Sequence, residues 1–394
     1  MRAAAILGLG SSTRDLEPFQ RACAAEWTIG LPAESEGLDA ILVFGGDGTV
    51  HRHLGALVKL GLPVLVVPAG SGNDFARALG LLRERDSLAA WQKFASHGEN
   101  IRVVDLGVIT PIKLEAGLSA RAAQEAGGEP AHRNRLSPES DLAVALKGPG
   151  LSRAVRAAKF IAALAAGVRG GHPERFAQPG VQACSDAKQR HEADPRRDAV
   201  ESAPDALARP SLPGQGALGK TIYFSCVAGV GLDGEISRRA NALPRWLRGH
   251  GGYALSLPAA LLRFRPFPLK LSVAAEPNAR EFFLRSQQPV TAAVFANTPV
   301  YGGGMKIAPR AKMDDGQLDV CVIRDISKLK LLGVFPSVYF GRHLGIREVE
   351  YFPAAAARVE TERPLDVYAD GEYVCRTPVE FNVARSCLRV IVPG

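Results

Sequence analysis

Apolar residues in the first hundred positions fall in short continuous runs, and amphipathic segments separate them. "AAAILGL" (Ala3–Leu9), "DAILVF" (Asp39–Phe44), "LPVLVVP" (Leu62–Pro68) and "NIRVVDLGVI" (Asn100–Ile109) have the pattern of strands buried on both faces. Between them, "DLEPFQRACAAEW" (15–27), "TVHRHLGALVKL" (49–60), "NDFARALG" (73–80) and "DSLAAWQKFASHG" (86–98) predict helices. In the second of these, Val50, Leu54, Leu57 and Val58 share one face. Strand–helix alternation with continuous apolar strands predicts an α/β domain over residues 1–110, built on a parallel sheet.

The pattern is lost from Pro111 to Leu218. This stretch is rich in Ala, Gly, Pro, Ser and mixed charges and has no strand signal. A loop this long does not belong inside a compact domain, so residues 111–218 read as a mostly disordered insertion. Within it, "LSRAVRAAKFIAALAAGVRGG" (151–171) predicts a helix with Ser152 as N-cap. Arg153, Arg156 and Lys159 beside its Ala/Leu/Ile face suit an acidic membrane surface, although alanine propensity alone gives the same helix.

From residue 219 to 394 the period changes to two. Strands are predicted in "KTIYFSCVAG" (220–229), "FPLKLSVAAE" (267–276), "REFFLRS" (280–286), "PVTAAVFANT" (289–298), "GQLDVCVIRD" (316–325), "REVEYFPAAAARVET" (347–361), "LDVYADGEYV" (365–374), "PVEFNVA" (378–384) and "CLRVIVP" (387–393). Helical stretches interrupt them near Tyr253–Phe264 and Leu329–Phe340. This predicts a second, mostly antiparallel domain, with the chain able to return to the first at its end.

Charge narrows the partners. Lys and Arg exceed Asp and Glu by 8, which suits phosphates or an acidic membrane surface. No basic stripe interleaved with aromatics and no nucleic-acid module is visible, so no nucleic-acid partner is expected. None of the six cysteines forms a CxxC pair or stands at zinc spacing from a histidine, and a reducing cytoplasm is the simplest setting. No run of about 18 apolar residues exists to predict a membrane span.

Two glycine turns carry the candidate chemistry. "GGDGT" (Gly45, Gly46, Asp47, Gly48, Thr49) follows a strand and opens a helix. Glycines let a phosphate approach the backbone, and helix-start amides point at an anion. Thr49 could cap the helix or donate to a phosphate, and Asp47 would act through a cation, its waters or a hydroxyl. "PAGSGNDFARALG" (68–80) repeats the logic one strand later with Gly70, Ser71, Gly72 and Asn73. Turns after consecutive parallel strands share the carboxyl edge of the sheet, where ligands bind.

Together these turns resemble the catalytic domain of the diacylglycerol kinase and sphingosine kinase superfamily, in its soluble bacterial lipid kinase branch. "VAGVGLDGEIS" (227–237), "NTPVYGGGMKIAPRAKMDDGQLDVCVI" (297–323) and "YADGEYV" (368–374) resemble later motifs of that family, in the correct order. The resemblance implies a nucleotide domain of phosphofructokinase and NAD kinase type, a C-terminal β-sandwich and a cleft between them. It implies an ATP-dependent kinase, peripherally bound to an acidic membrane, acting on a lipid alcohol such as a diacylglycerol or sphingoid base. By motif, Gly45–Thr49 and Gly70–Asn73 would hold ATP. The Asp315 side chain and the carbonyls of Lys312 and Gln317 would hold Mg²⁺. In the DGE turn Glu372 is favoured as proton acceptor, with Asp370 joining the cation and water network through Asp47. Asp233 and Glu235 could reach the same cleft. Two features depart from the family pattern: Arg52, flanked by His51 and His53, replaces an acid, and "LGLGSST" (7–13) lacks an Asn-Pro pair, with Gly8, Gly10 and Ser11 in its place. Phosphorylation of a soluble substrate such as NAD and a non-catalytic nucleotide- or lipid-binding role are the alternatives. The oligomeric state is open, a homodimer included.

Overall fold

The computed structural model describes residues 1–112, 221–243, 256–257, 259–261 and 264–394. The insertion from residue 113 to 218, the helix predicted at Leu151–Gly171 and half of the one predicted at Tyr253–Phe264 therefore lie outside the described residues.

The first part builds a parallel sheet. β1 (Arg2–Leu7) pairs with β2 (Glu26–Ile29) and β3 (Ala40–Gly45), and β3 pairs with β4 (Val64–Pro68), all parallel. Helices α1 (Thr13–Ala22), α2 (Asp47–Leu60), α3 (Asp74–Ala78) and α4 (Glu84–His97) connect the strands. α2 and α4 end on Gly61 and Gly98, both in the left-handed conformation that glycine adopts without strain. Val50, Leu54 and Leu57 of α2 are buried as the spacing requires. β2 corrects the sequence reading, which ran one helix through Trp27. The chain turns extended at Cys23, and the Glu26–Ile29 segment adds to β1 as an edge strand with Trp27 partly buried against the core.

The second part is antiparallel: β5 (Ile101–Pro111), β6 (Ile222–Phe224), β7 (Val227–Gly231), β8 (Phe267–Ala274), β9 (Phe283–Ala296), β10 (Leu318–Arg324), β11 (Val349–Ala354), β12 (Ala356–Thr361), β13 (Asp366–Ala369), β14 (Glu372–Arg376) and β15 (Val379–Ile391). Helices α5 (Leu232–Ala242) and α6 (Lys328–Val334) interrupt it, and α6 continues as a 3₁₀ turn where Pro336 enters. Several boundaries differ from the sequence pattern. β9 fuses two predicted strands, and so does β15, whose register shifts between Ala384 and Leu388. "KTIYFSCVAG" splits at Ser225–Cys226, and "REVEYFPAAAARVET" splits at Ala355.

β15 ties the parts together. It runs antiparallel to β5 along its length and to β12 at its start, and its end lies parallel to β4 at Val390–Val64. One apolar core fills the helical layers and a second lies among the antiparallel strands. In the second, Phe295 and Phe381 stack with centroids 3.9 Å apart, both fully buried. Phe381→Ala should therefore lower stability by about 3–5 kcal/mol, read as a drop in the urea midpoint with unchanged slope.

Candidate active site

The two glycine turns lie against each other at the carboxyl edge of β3 and β4. A Cβ on Gly70 would stand 2.4 Å from the Gly46 Cα, and one on Gly46 would stand 2.9 Å from the Gly70 Cα. Neither position admits a side chain, so part of the glycine requirement comes from this mutual contact. Asn73, left-handed at φ 55°, closes the second turn: its Oδ1 accepts from Gly70 N–H at 2.9 Å and its Nδ2 donates to Gly70 O at 2.8 Å. Ser71 is exposed at the tip.

Asp47 joins the turns. Its carboxylate accepts the N–H groups of Asp74 and Phe75, each at 3.0 Å, and so caps α3 from a distance. A Cβ on Gly72 would stand 2.7 Å from the same carboxylate. Thr49 does not cap α2, against one of its two expected roles. The N-cap is Gly46, whose carbonyl accepts from Thr49 and Val50, and the Thr49 side chain lies where a Cβ on Gly8 or Gly45 would be. The amides of Asp47 and Gly48 precede these first intrahelical bonds. Gly8 N–H and the Ser11 hydroxyl both bond Phe44 O, which holds the loop after β1 beside them.

The DGE segment forms the turn between β13 and β14, with Asp370 and Gly371 both at positive φ (50° and 85°). The Asp370 side chain is fully buried. It accepts from the N–H groups of Ser225, Cys226 and Val227 at 2.8, 2.8 and 3.2 Å and from the Ser225 hydroxyl at 3.1 Å. This explains the break between β6 and β7, because amides there serve the carboxylate. His51 Nδ1 lies 3.2 Å from the same carboxylate. These partners outweigh burial and hold Asp370 below the usual carboxylate range. Glu372, one residue past the turn glycine, is exposed, and its Oε1 would be 2.9 Å from a Cβ on Gly48. Asp47, Asp370 and Glu372, from distant parts of the chain, thus converge at the first turn of α2.

Further contacts surround these turns. Gly303 N–H donates to Asp74 at 2.9 Å, and the Tyr301 hydroxyl donates to Asp233 at 2.6 Å, so the glycine-rich loop bridges both parts. Glu235 instead pairs with Arg238 and Arg239 on its own helix. Asp315 sits elsewhere, on an exposed loop where it accepts from Gln317 N–H at 3.1 Å. Among the described residues no cluster of three or more His, Cys, Asp or Glu side chains is arranged to hold a metal. Sequence reasoning passed over His51 as a ligand of Asp370. The available signal was its spacing, four residues after Asp47 and so on the same helix face. Arg52 is exposed, whereas Cys226, beside Asp370, Asp47 and Asp74, is a buried free thiol pushed up by burial and these charges.

Comparison with known proteins finds matches over both parts of the chain. Residues 17–109 match the diacylglycerol kinase catalytic domain, and residues 226–392 match the YegS C-terminal NAD kinase beta sandwich-like domain. A diacylglycerol kinase of Mycobacterium tuberculosis (strain ATCC 25618 / H37Rv) is 35% identical over 361 residues, covering 92% of this chain and 79% of the relative. A diacylglycerol kinase of Bacillus subtilis (strain 168) is 24% identical over 202 residues, covering 50% of this chain and 63% of the relative. The crystal structure of a diacylglycerol kinase from Bacillus anthracis str. Sterne superposes with a TM-score of 0.51 at 14% identity, over 99% of this chain and 96% of that one, a likeness of fold alone.

Burial, then the nearby Asp74, pushes the Asp47 carboxyl up from 3.8 to about 7. A folded-state value above the unfolded one gives stability that is full below about 3.8 and lost as pH rises through about 7. In the presence of a chelator, the melting midpoint of the wild type relative to Asp47→Asn should therefore fall between pH 4 and pH 8, as read by circular dichroism.

Proposed function

The chain belongs to the diacylglycerol kinase and YegS-like lipid kinase family, and on that premise we propose that it transfers the γ-phosphoryl group of ATP to the hydroxyl of a lipid alcohol such as a diacylglycerol. The observation that carries the reading is the convergence of Glu372 on Gly48. It sets an exposed carboxylate beside the glycine turn whose helix-start amides suit a phosphate.

In this reading the paired turns, Gly45–Thr49 and Gly70–Asn73, receive the phosphates of ATP. The positive end of α2 and the amides of Asp47 and Gly48 attract the anion. The second turn contributes through its exposed tip, because the first amides of α3 already bond Asp47. Glu372 orients the acceptor hydroxyl and takes its proton late in the transfer. Asp370 suits that role less well: it is ionised, buried and already bonded by four donors besides His51. It fixes the turn instead.

The loop around Asp315 fits Mg²⁺ in its donor chemistry. It offers the exposed Asp315 carboxylate, beside Asp314 already paired with Arg102, and the backbone carbonyls of Lys312 and Gln317, and Mg²⁺ binds hard oxygen through few protein ligands while keeping several waters. Mg²⁺ bound there would supply a fixed positive charge to that loop.

Access to the acceptor would come from docking on an acidic membrane, consistent with the excess of basic residues. No helix among the described residues is long and apolar enough to cross a membrane.

The test is radiolabelled ATP offered with a panel of lipid alcohols in mixed micelles, and with NAD in parallel. A labelled lipid is expected, whereas labelled NADP without any lipid product would overturn the reading. Glu372→Gln should lower kcat by about 10²–10⁴-fold with little change in the KM for ATP. Gly48→Ala should lower it as well, because the added methyl displaces the Glu372 carboxylate.

A further inference from the structure

The turn that carries Glu372 is held from several sides. Asp370 N–H donates to Val227 O at 2.9 Å, and the Asp370 carboxylate is bound by the β6–β7 junction. Asn241, at the end of α5, donates through Nδ2 to Gly371 O at 2.6 Å. All these groups belong to the second part of the chain. They fix the turn within the antiparallel strands and leave open where it stands relative to the glycine turns.

His51 adds a direct link between this turn and the glycine turns. It lies on the first part, one helical turn beyond Asp47, and its Nδ1 reaches the Asp370 carboxylate across 319 positions of sequence. The imidazole is 12% exposed and the carboxylate is not exposed at all, so this contact is shielded from water. A hydrogen bond to a buried charge is stronger than a neutral one and is costly to leave unmade. The same helix start carries Gly48, which adjoins the Glu372 carboxylate.

We propose that His51 is a positioning residue for phosphoryl transfer: by bonding Asp370 it sets the distance between the catalytic turn and the nucleotide turn, and so aims Glu372 at the acceptor hydroxyl. The inference rests on the lipid kinase reading. His51 touches neither ATP nor lipid in this account. Its effect passes through Asp370 to the turn, and a displacement of about 1 Å at a reacting group can cost about 10²-fold in rate.

Two variants separate positioning from simple structural support. His51→Leu removes the donor and keeps an apolar side chain of similar reach. His51→Asn keeps an amide N–H close to the place of Nδ1. Both are assayed with ATP and the best lipid acceptor of the wild type, reading kcat and each KM separately, with melting midpoints as a control. The expected result for His51→Leu is a fall in kcat of about 10²-fold, with the KM for ATP within about twofold. His51→Asn should recover kcat to within about fivefold of wild type.

An unchanged kcat in His51→Leu would overturn the proposal. So would a loss in His51→Leu that His51→Asn does not repair. If His51→Leu fails to fold, His51→Ala takes its place, and the comparison with His51→Asn still decides. A wild type that phosphorylates no lipid would count against the lipid kinase reading itself, an outcome distinct from either result on His51.

Discussion

A buried carboxylate that must stay ionised constrains much of this structure. Removing Asp370 from water is costly unless donors replace the lost hydration. The chain supplies three amides and a hydroxyl from Ser225, Cys226 and Val227, and an imidazole from His51. The amides come from a place where a strand would otherwise run on, which is why β6 ends at Phe224 and β7 begins at Val227. The donors also fix the direction of the β13–β14 turn, and with it the position of Glu372. One charge therefore determines a strand break, a turn and the placement of the Glu372 carboxylate.

The glycine turns follow a related logic. Gly46 and Gly70 meet backbone to backbone, and Asp47 turns away from the open edge to cap α3. Some of what a sequence reader assigns to ligand binding is thus the internal geometry of two turns packed side by side. The two functions are compatible, because small residues that let the turns meet also leave room for a phosphate above them.

Much of the fold was legible in the sequence, because continuous apolar runs and glycine stops mark the parallel strands and the ends of α2 and α4 directly. The antiparallel part was read less well, for identifiable reasons. Pairing with distant strands carries β9 through Pro289 and carries β15 through a bulge at residues 385–387, and neither event has a local signature. The split at Ser225–Cys226 depends on a carboxylate that comes from 145 positions away along the chain. For the site, the motifs pointed to Asp47, Asp370 and Glu372, which the structure brings together at the start of α2. They did not name His51, whose partner lies at the other end of the chain, nor the bond from Gly303 to Asp74. Of the basic triplet at residues 51–53, one member is thus a half-buried partner of Asp370, one is exposed, and the third is half-buried with its imidazole pushed down by burial and by Arg52.

β15 has a consequence for biosynthesis. The parallel strands of the first part are made before β15, yet β4 receives its neighbour on one side only from Val390. Until that segment leaves the ribosome, the edge of β4 has exposed backbone groups open to a wrong partner. The nascent chain must therefore keep this edge unpaired while the intervening residues are made. Folding of the parallel strands alone cannot finish that sheet, so this fold couples its completion to a strand made long after them.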